Sequence, residues 1–196
     1  MRIIAGDLRG RRLLPVAGRT IRPTSDKVRE AVFSILASRY HRTMASSTRV
    51  LDLYAGTGAL GLEAISRGAL QVTFVEVDGK AAATIRANLE HCGVVDRGVV
   101  RRQSVQAFLA RAPVGASGRD FGLVFMDPPY DDGRGLAVTL ATLAPPLLTP
   151  GAVIVVEHAA GEAPPEAAGL LTLVDRRVWG GTGMSFYRPE TAASAS

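Results

Sequence analysis

Three kinds of residue in this 196-residue chain have the types and spacing to do chemistry, and they recur in order. The first is a glycine turn, Gly56-Thr57-Gly58-Ala59-Leu60-Gly61, which fits G-x-G-x-x-G and follows the apolar run Val50-Leu51-Asp52-Leu53-Tyr54. Glycines at a strand-to-helix turn let the backbone approach a ligand closely. The second is Glu76, which ends the run "VTFVEVD" about 20 residues on. An acid there accepts hydrogen bonds from ribose hydroxyls, so it points to a nucleoside. The third is Asp127-Pro128-Pro129-Tyr130, at the end of "GLVFMD".

Asp52 chooses between nucleoside ligands. A carboxylate just before the glycine turn repels a pyrophosphate but suits a cation that carries an ammonium. S-adenosylmethionine has a sulfonium, an ammonium and no phosphate. The Asp127 loop suits the other reactant. An exocyclic amino group on a base is a weak nucleophile, because its lone pair is delocalised into the ring. A carboxylate and a carbonyl that accept its hydrogens localise that lone pair. Asp127 supplies the carboxylate. Proline has no N–H and a fixed φ, so Pro128 and Pro129 hold a rigid loop that presents a bare carbonyl. Tyr130 offers a face on which the base stacks. Methyl transfer by positioning follows, with no metal. The scattered His41, His91 and His158, with the single cysteine Cys92, make no metal-ligand spacing.

The elements that must position these residues alternate. Apolar runs read as strands over residues 49–54, 71–77, 98–103, 121–127 and 151–158, with helices over 60–67, 79–91, 104–112 and 136–143. Alternation predicts parallel βαβ units covered on both faces, with the strand ends that carry Asp52, Glu76 and Asp127 along one edge. The ending differs: "LLTLVDRRVW", Gly180-Gly181 and "GMSFYRP" predict an antiparallel hairpin. An NAD-binding sheet is parallel to its edge, so the hairpin leans against that ligand; a flavodoxin-like sheet is the alternative. Before residue 49 lie short strands and turns, then a helix from about Ser25 to Ser38 with Thr24 or Ser25 as its cap. The tail "TAASAS" reads as disordered.

Charge is unevenly spread. Residues 1–50 carry 11 of the 23 Lys+Arg and only Asp7, Asp26 and Glu30 of the 18 acids. A basic front on a slightly acidic body predicts a polyanionic partner. With 47% hydrophobic and 21% charged residues, the composition is that of a globular domain. No apolar run approaches the roughly 18 residues of a membrane span, and "MRIIAGDLRGRR" lacks the apolar core of a signal peptide. A cytoplasmic monomer is the expectation.

Taken together, "RIIAG", "RGRRL", "RPTSDKVREAVFSIL", "VLDLYAGTGALGLEAISRGA", "VTFVEVD", "FMDPPY" and "SFYR" resemble the RsmD family, over about Arg2 to Arg188. The family's bacterial methyltransferases modify guanine N2 in 16S ribosomal RNA, at position 966 in ribosomal numbering. The resemblance implies an α/β, Rossmann-like class I methyltransferase fold: a doubly wound, mostly parallel seven-stranded sheet ending in an antiparallel hairpin. It implies a basic N-terminal extension (1–48, β-hairpin plus helix) that contacts RNA, a methyltransferase domain (49–190) and a tail (191–196). S-adenosylmethionine would lie against Asp52, Tyr54, Ala55, Gly56, Thr57, Gly58, Glu76, Val77, Ser104 and Thr24. Asp127, Pro128, Pro129 and Tyr130 would form the catalytic loop. Arg2, Arg9, Arg11, Arg12, Arg19, Arg22 and Arg29 would contact 16S RNA within an assembling small subunit. One departure stands out: where the family often has an acid for the adenine amino group, this chain has Gln103-Ser104-Val105, so the Ser104 hydroxyl or a backbone group takes that contact. Against this reading stand an N6-adenine DNA methyltransferase with the same loop, an NAD-dependent oxidoreductase, and a non-catalytic RNA-binding module.

Overall fold

Strand and helix alternate because the apolar pattern switches period along the chain. The runs Val50–Leu53, Val72–Val75 and Phe121–Met126 are mostly apolar and rich in β-branched or aromatic residues, the pattern of strands covered on both faces. Between them, apolar residues recur at helical spacing, as at Ala81, Ala82, Ile85 and Leu89. A computed structural model describes residues 1–18, 25–111, 121–128, 134–143, 147–162 and 164–190. Arg19, Arg22, Thr24, Pro129, Tyr130 and the tail lie outside them.

Eight strands form one sheet in the order β3-β2-β1-β4-β5-β8-β7-β6. They are β1 (Arg49–Leu53), β2 (Gln71–Glu76), β3 (Gly98–Arg102), β4 (Phe121–Met126), β5 (Leu148–Ala159), β6 (Ala167–Ala168), β7 (Leu171–Trp179) and β8 (Thr182–Pro189). The first five are parallel, and β8 turns back antiparallel between β5 and β7. The seven expected strands are all present, and the eighth is the two-residue β6. This order, with chain direction reversing beside β5, is not the flavodoxin-like one.

Helices α1 (Asp26–Arg39), α2 (Ala59–Ser66), α3 (Gly79–Cys92), α4 (Val105–Arg111) and α5 (Arg134–Thr142) divide between the two faces. Phe33 of α1, Ile65 of α2 and Ile85 of α3 pack with Phe74, Phe125 and Val155 on one side. Leu109 of α4 and Leu140 of α5 pack with Leu51, Val124 and Ile154 on the other. Local signals set the helix ends. Ser25 caps α1, its hydroxyl accepting from the Val28 N–H, and Asp78 caps α3 through Ala81. Gly93, in the left-handed region, ends α3.

The N-terminal extension is tied more closely to the body than a free hairpin. Its two arms meet in one antiparallel bridge, Arg2 to Arg12, rather than in strands. Ile3, Leu8 and Leu13 join the same apolar cluster as α1, α2 and α3. The fully buried Glu63 of α2 accepts the N–H groups of Ile4 and Ala5 at 2.8 and 3.1 Å. Ser66 accepts the Leu8 N–H, and Asn88 of α3 accepts that of Leu14 at 2.7 Å. The arms bond each other at Ile3, Gly10 and Leu13, and the donors at Ile4, Ala5, Leu8 and Leu14 are satisfied by side chains of the helices beneath.

Candidate active site

The parallel register aligns the strand ends that carry the acids. Asp52 pairs with Phe74 of β2 and Phe125 of β4, and Met126 pairs with Leu53 and with Val156 of β5. Asp52, Glu76, Asp127 and Glu157 therefore converge along the carboxyl edge of β1, β2, β4 and β5. Glycine shapes the turn between them. Gly56 and Gly58 take φ of 55° and 78°, a region that L side chains rarely adopt. Gly61 serves a different need: a Cβ there would lie 2.8 Å from Phe74 Cζ and Val72 Cγ1, so only glycine lets α2 sit this close to β2. Tyr54 has φ of 59° without being glycine. Such strain costs about 1–3 kcal/mol and collects at functional sites. Its hydroxyl hydrogen-bonds Thr139 Oγ1 on α5 at 3.2 Å.

Glu76 fastens the turn. Its carboxylate accepts the Gly56 N–H at 2.9 Å and the Asp78 N–H at 2.8 Å, which leaves further lone pairs on both oxygens for a ligand's hydroxyls. Val77 beside it is an exposed apolar side chain, 64% accessible, suited to a flat ring. Ser104 caps α4 by accepting the Ala107 N–H at 3.1 Å, so its hydroxyl hydrogen remains the group it can offer. Thr57 is buried, and its carbonyl accepts from Asn88 Nδ2 at 3.1 Å. Asn88 thereby links the N-terminal segment at Leu14 to the glycine turn.

Electrostatics give the edge its preference. Asp52 is 2% accessible and accepts the Gly61 N–H at 3.0 Å. Burial holds its pKa well above the carboxylate range; the Asp127 and Glu76 charges add to this and the Gly61 hydrogen bond opposes it. Burial likewise pushes Asp127 up to about 8, with the Glu157 charge as the second cause. Glu157 is itself buried. Asp52 and Asp127 are thus held toward their neutral forms, and a cation placed beside them favours their charged forms, as a phosphate does not. Glu157 was missed in the sequence, although an acid closing the apolar run "AVIVVE" repeats the signal at Asp52 and Glu76.

The structure separates the expected RNA contacts. Arg2, Arg9, Arg11 and Arg12 are exposed on the segment over α2 and α3, with Arg11 donating to the His91 carbonyl. Arg29 is corrected: it is buried, with Nη2 donating to Arg2 O and, at 2.8 Å, to Asp26, and Nε lies 3.9 Å from Glu63 Oε2. It fastens the extension rather than facing a partner. His158 is a satisfied core histidine: Nδ1 donates to the Ala159 carbonyl at 2.8 Å and Nε2 accepts from Ser185 at 3.0 Å. Asp127 and Pro128 stand at the edge, half-buried; Pro129, Tyr130, Thr24, Arg19 and Arg22 fall outside the described residues.

Comparison with known proteins gives the same architecture. The chain is 35% identical over 188 residues to "Putative rRNA methyltransferase YlbH" of Bacillus subtilis, covering 96% of this chain and 98% of that one. It is 37% identical over 133 residues to "Ribosomal RNA small subunit methyltransferase D" of Escherichia coli K12, covering 68% of this chain and 62% of the relative. Among solved structures, "Putative methyltransferase yhhF from Escherichia coli" superposes with a TM-score of 0.80 at 33% identity, covering 97% of this chain and 98% of that one. Residues 1–188 match the family model described as Conserved hypothetical protein 95, and the chain belongs to that family, the RsmD family.

Proposed function

We propose that this protein transfers a methyl group from S-adenosylmethionine to the exocyclic N2 of one guanine, the 966-type position, in 16S RNA of an assembling small ribosomal subunit. The observation that carries this reading is the convergence of Asp52, Glu76 and Asp127 on one glycine turn. Three carboxylates around the turn favour a cationic nucleoside over a dinucleotide. The names borne by the relatives support ribosomal RNA as the substrate.

The residues present fit the cofactor. Glu76 has acceptor capacity left for the ribose hydroxyls, Asp52 favours an ammonium, Val77 offers an apolar surface to the adenine, and Gly56 to Gly58 admit the methionine part. Tyr54, Ala55, Ser104 and Thr24 complete the assigned set. When bound, the cofactor supplies an electrophilic methyl on a sulfonium. Asp127 accepts a hydrogen of the guanine amino group, and the loop carbonyl at Pro128 accepts the other. This localises the nitrogen lone pair and aims it. Pro129 stiffens the loop, and Tyr130 stacks the flipped base. Flipping itself costs a few kcal/mol. The carbon–nitrogen bond would form as the methyl's bond to sulfur breaks, leaving S-adenosylhomocysteine; the amino group then loses one hydrogen as a proton, for which ionised Asp127 is the assigned base.

The test is transfer of labelled methyl from S-adenosylmethionine to small ribosomal subunits, naked 16S RNA and duplex DNA. Label is expected in a single N2-methylguanosine of the RNA, and Asp127→Ala is expected to abolish it while retaining cofactor binding. Label appearing in adenine of DNA instead would replace this reading with the N6-adenine one. Near-wild-type transfer by Asp127→Ala would remove the role assigned to the loop.

A further inference from the structure

A groove of about 510 Å3 runs between α1 and the β7–β8 hairpin, lined by Ile35, Arg39, Arg177, Val178 and Trp179 among others. None of these residues belongs to the site at Asp127. Trp179 is half-buried, with its ring against the core, and Val178 is 50% accessible. Two guanidinium groups share one carboxylate: Arg39 Nη1 and Arg177 Nε lie 2.9 and 3.1 Å from Asp175. The side chains of Arg39 and Arg177 are 55% and 43% exposed, so the groove keeps a net positive charge with an indole at its end.

Its place in the sheet gives it meaning. A register shift between Leu173 and Asp175 turns Asp175, Arg177 and Trp179 toward α1. Trp179 pairs with Thr182, and Thr182 pairs with Ala159 of β5. Ala159 is two residues beyond Glu157, which stands next to Asp127 at the carboxyl edge. The hairpin end of β7 therefore lies at the same edge as Asp127, three strand spacings away, or roughly 14 Å. Forked cations that match phosphate and an aromatic face that stacks any base together suit a single strand of nucleic acid.

We infer that this groove is a second RNA-contacting surface, which takes a single-stranded segment running on from the nucleotide held at Asp127, with a base on Trp179 and phosphates on Arg39 and Arg177. The inference rests on the proposed function and names the flanking nucleotides as part of what the enzyme reads.

Trp179 is the only tryptophan of the chain, so its fluorescence reports on the groove alone. The full-length protein is titrated with a mixed-sequence single-stranded oligoribonucleotide while its total binding is followed by anisotropy of a labelled oligonucleotide. Saturable quenching of the indole in step with binding is expected. Arg177→Gln and Arg39→Gln should each weaken binding several-fold. Trp179→Phe, which keeps a stacking ring and the packing, should keep binding within about twofold, whereas Trp179→Ala should lose about tenfold. Cofactor affinity should stay unchanged in all four, which also checks that they fold. Oligonucleotide binding without any change in indole emission would overturn the inference. So would emission that responds to intact small subunits but not to RNA, since that would make the occupant a ribosomal protein. Methyl transfer to 16S RNA, measured on the same preparation, keeps the two readings apart: transfer without quenching removes only the groove, and quenching without transfer removes only the activity.

Discussion

Asp127 shows how much of the chemistry is set by surroundings rather than by residue type. Burial, reinforced by the neighbouring Glu157, lifts its pKa to about 8, whereas the unfolded chain ionises it near 3.8. The native state therefore holds a proton that the unfolded state has released. Stability from this group is fully present below about pH 4, declines as pH rises, and is lost above about 8. Replacing Asp127 by Asn should leave the melting temperature unchanged near pH 4 and raise it progressively up to pH 8, which calorimetry across pH measures. In the proposed mechanism the carboxylate form accepts the amino hydrogen, so kcat/KM of the wild type should rise with pH and level off above about 8. At saturating cofactor, the rise in kcat should move to lower pH, since a cation beside Asp127 favours its charged form. A pH-independent kcat/KM between 6 and 9 would contradict this. Packing sets the other residue-scale constraint. Gly61→Ala puts a methyl into the Phe74 ring and should cost about 1–3 kcal/mol in denaturant unfolding.

At the scale of elements, the alternating strands and helices were legible to within three residues, β5 starting at Leu148 rather than 151, because apolar runs and helical spacing are local signals. α1 was expected over 25–38 and runs Asp26–Arg39; β2 was expected over 71–77 and runs Gln71–Glu76. Glu76 and Asp127 were legible because each closes an apolar run, and Asp52 because it stands just before the glycine turn, whereas Glu157 was missed. The N-terminal segment was not. Its residues read as short strands and turns, and the resemblance implied a hairpin, but its conformation depends on partners about 60 residues away in Glu63 and Ser66, which no local pattern announces. Arg29 misled for a related reason, since a guanidinium on a helix reads as surface unless its buried carboxylate is known. Glu63 is the hub, accepting two backbone N–H groups and Arg67 Nε at 2.7 Å beside Arg29. Glu63→Ala leaves Arg29 buried with one fewer counter-charge and frees two backbone donors. A loss of about 3–5 kcal/mol is expected, and hydrogen exchange should show the Ile4 and Ala5 amides losing protection before the strands do.

Over the whole molecule, exposed basic charge stands in two separate patches. Arg9 and Arg12 project from the segment over α2 and α3, and Arg39 and Arg177 flank the groove on the far side of α1. Under the proposed function, an RNA that engages both patches is positioned by residues remote from the reacting atoms. Each phosphate contact releases counterions, and each lost contact should lower the slope of log affinity against log salt by about 1. Arg9→Gln should therefore weaken binding of 16S RNA, the proposed substrate, with a slope change of about 1, leaving kcat intact at saturating RNA. Arg177→Gln should do the same. The two patches share no partner and are far apart, so their free-energy costs should add within about 0.5 kcal/mol in the double variant. The measurement is a salt titration of RNA binding for the wild type, the two single variants and the double. Additive costs with additive slope changes mean that one RNA spans both patches at once. A double variant no weaker than the worse single variant would mean that the patches bind in alternation, and that only one of them is engaged when the guanine faces Asp127.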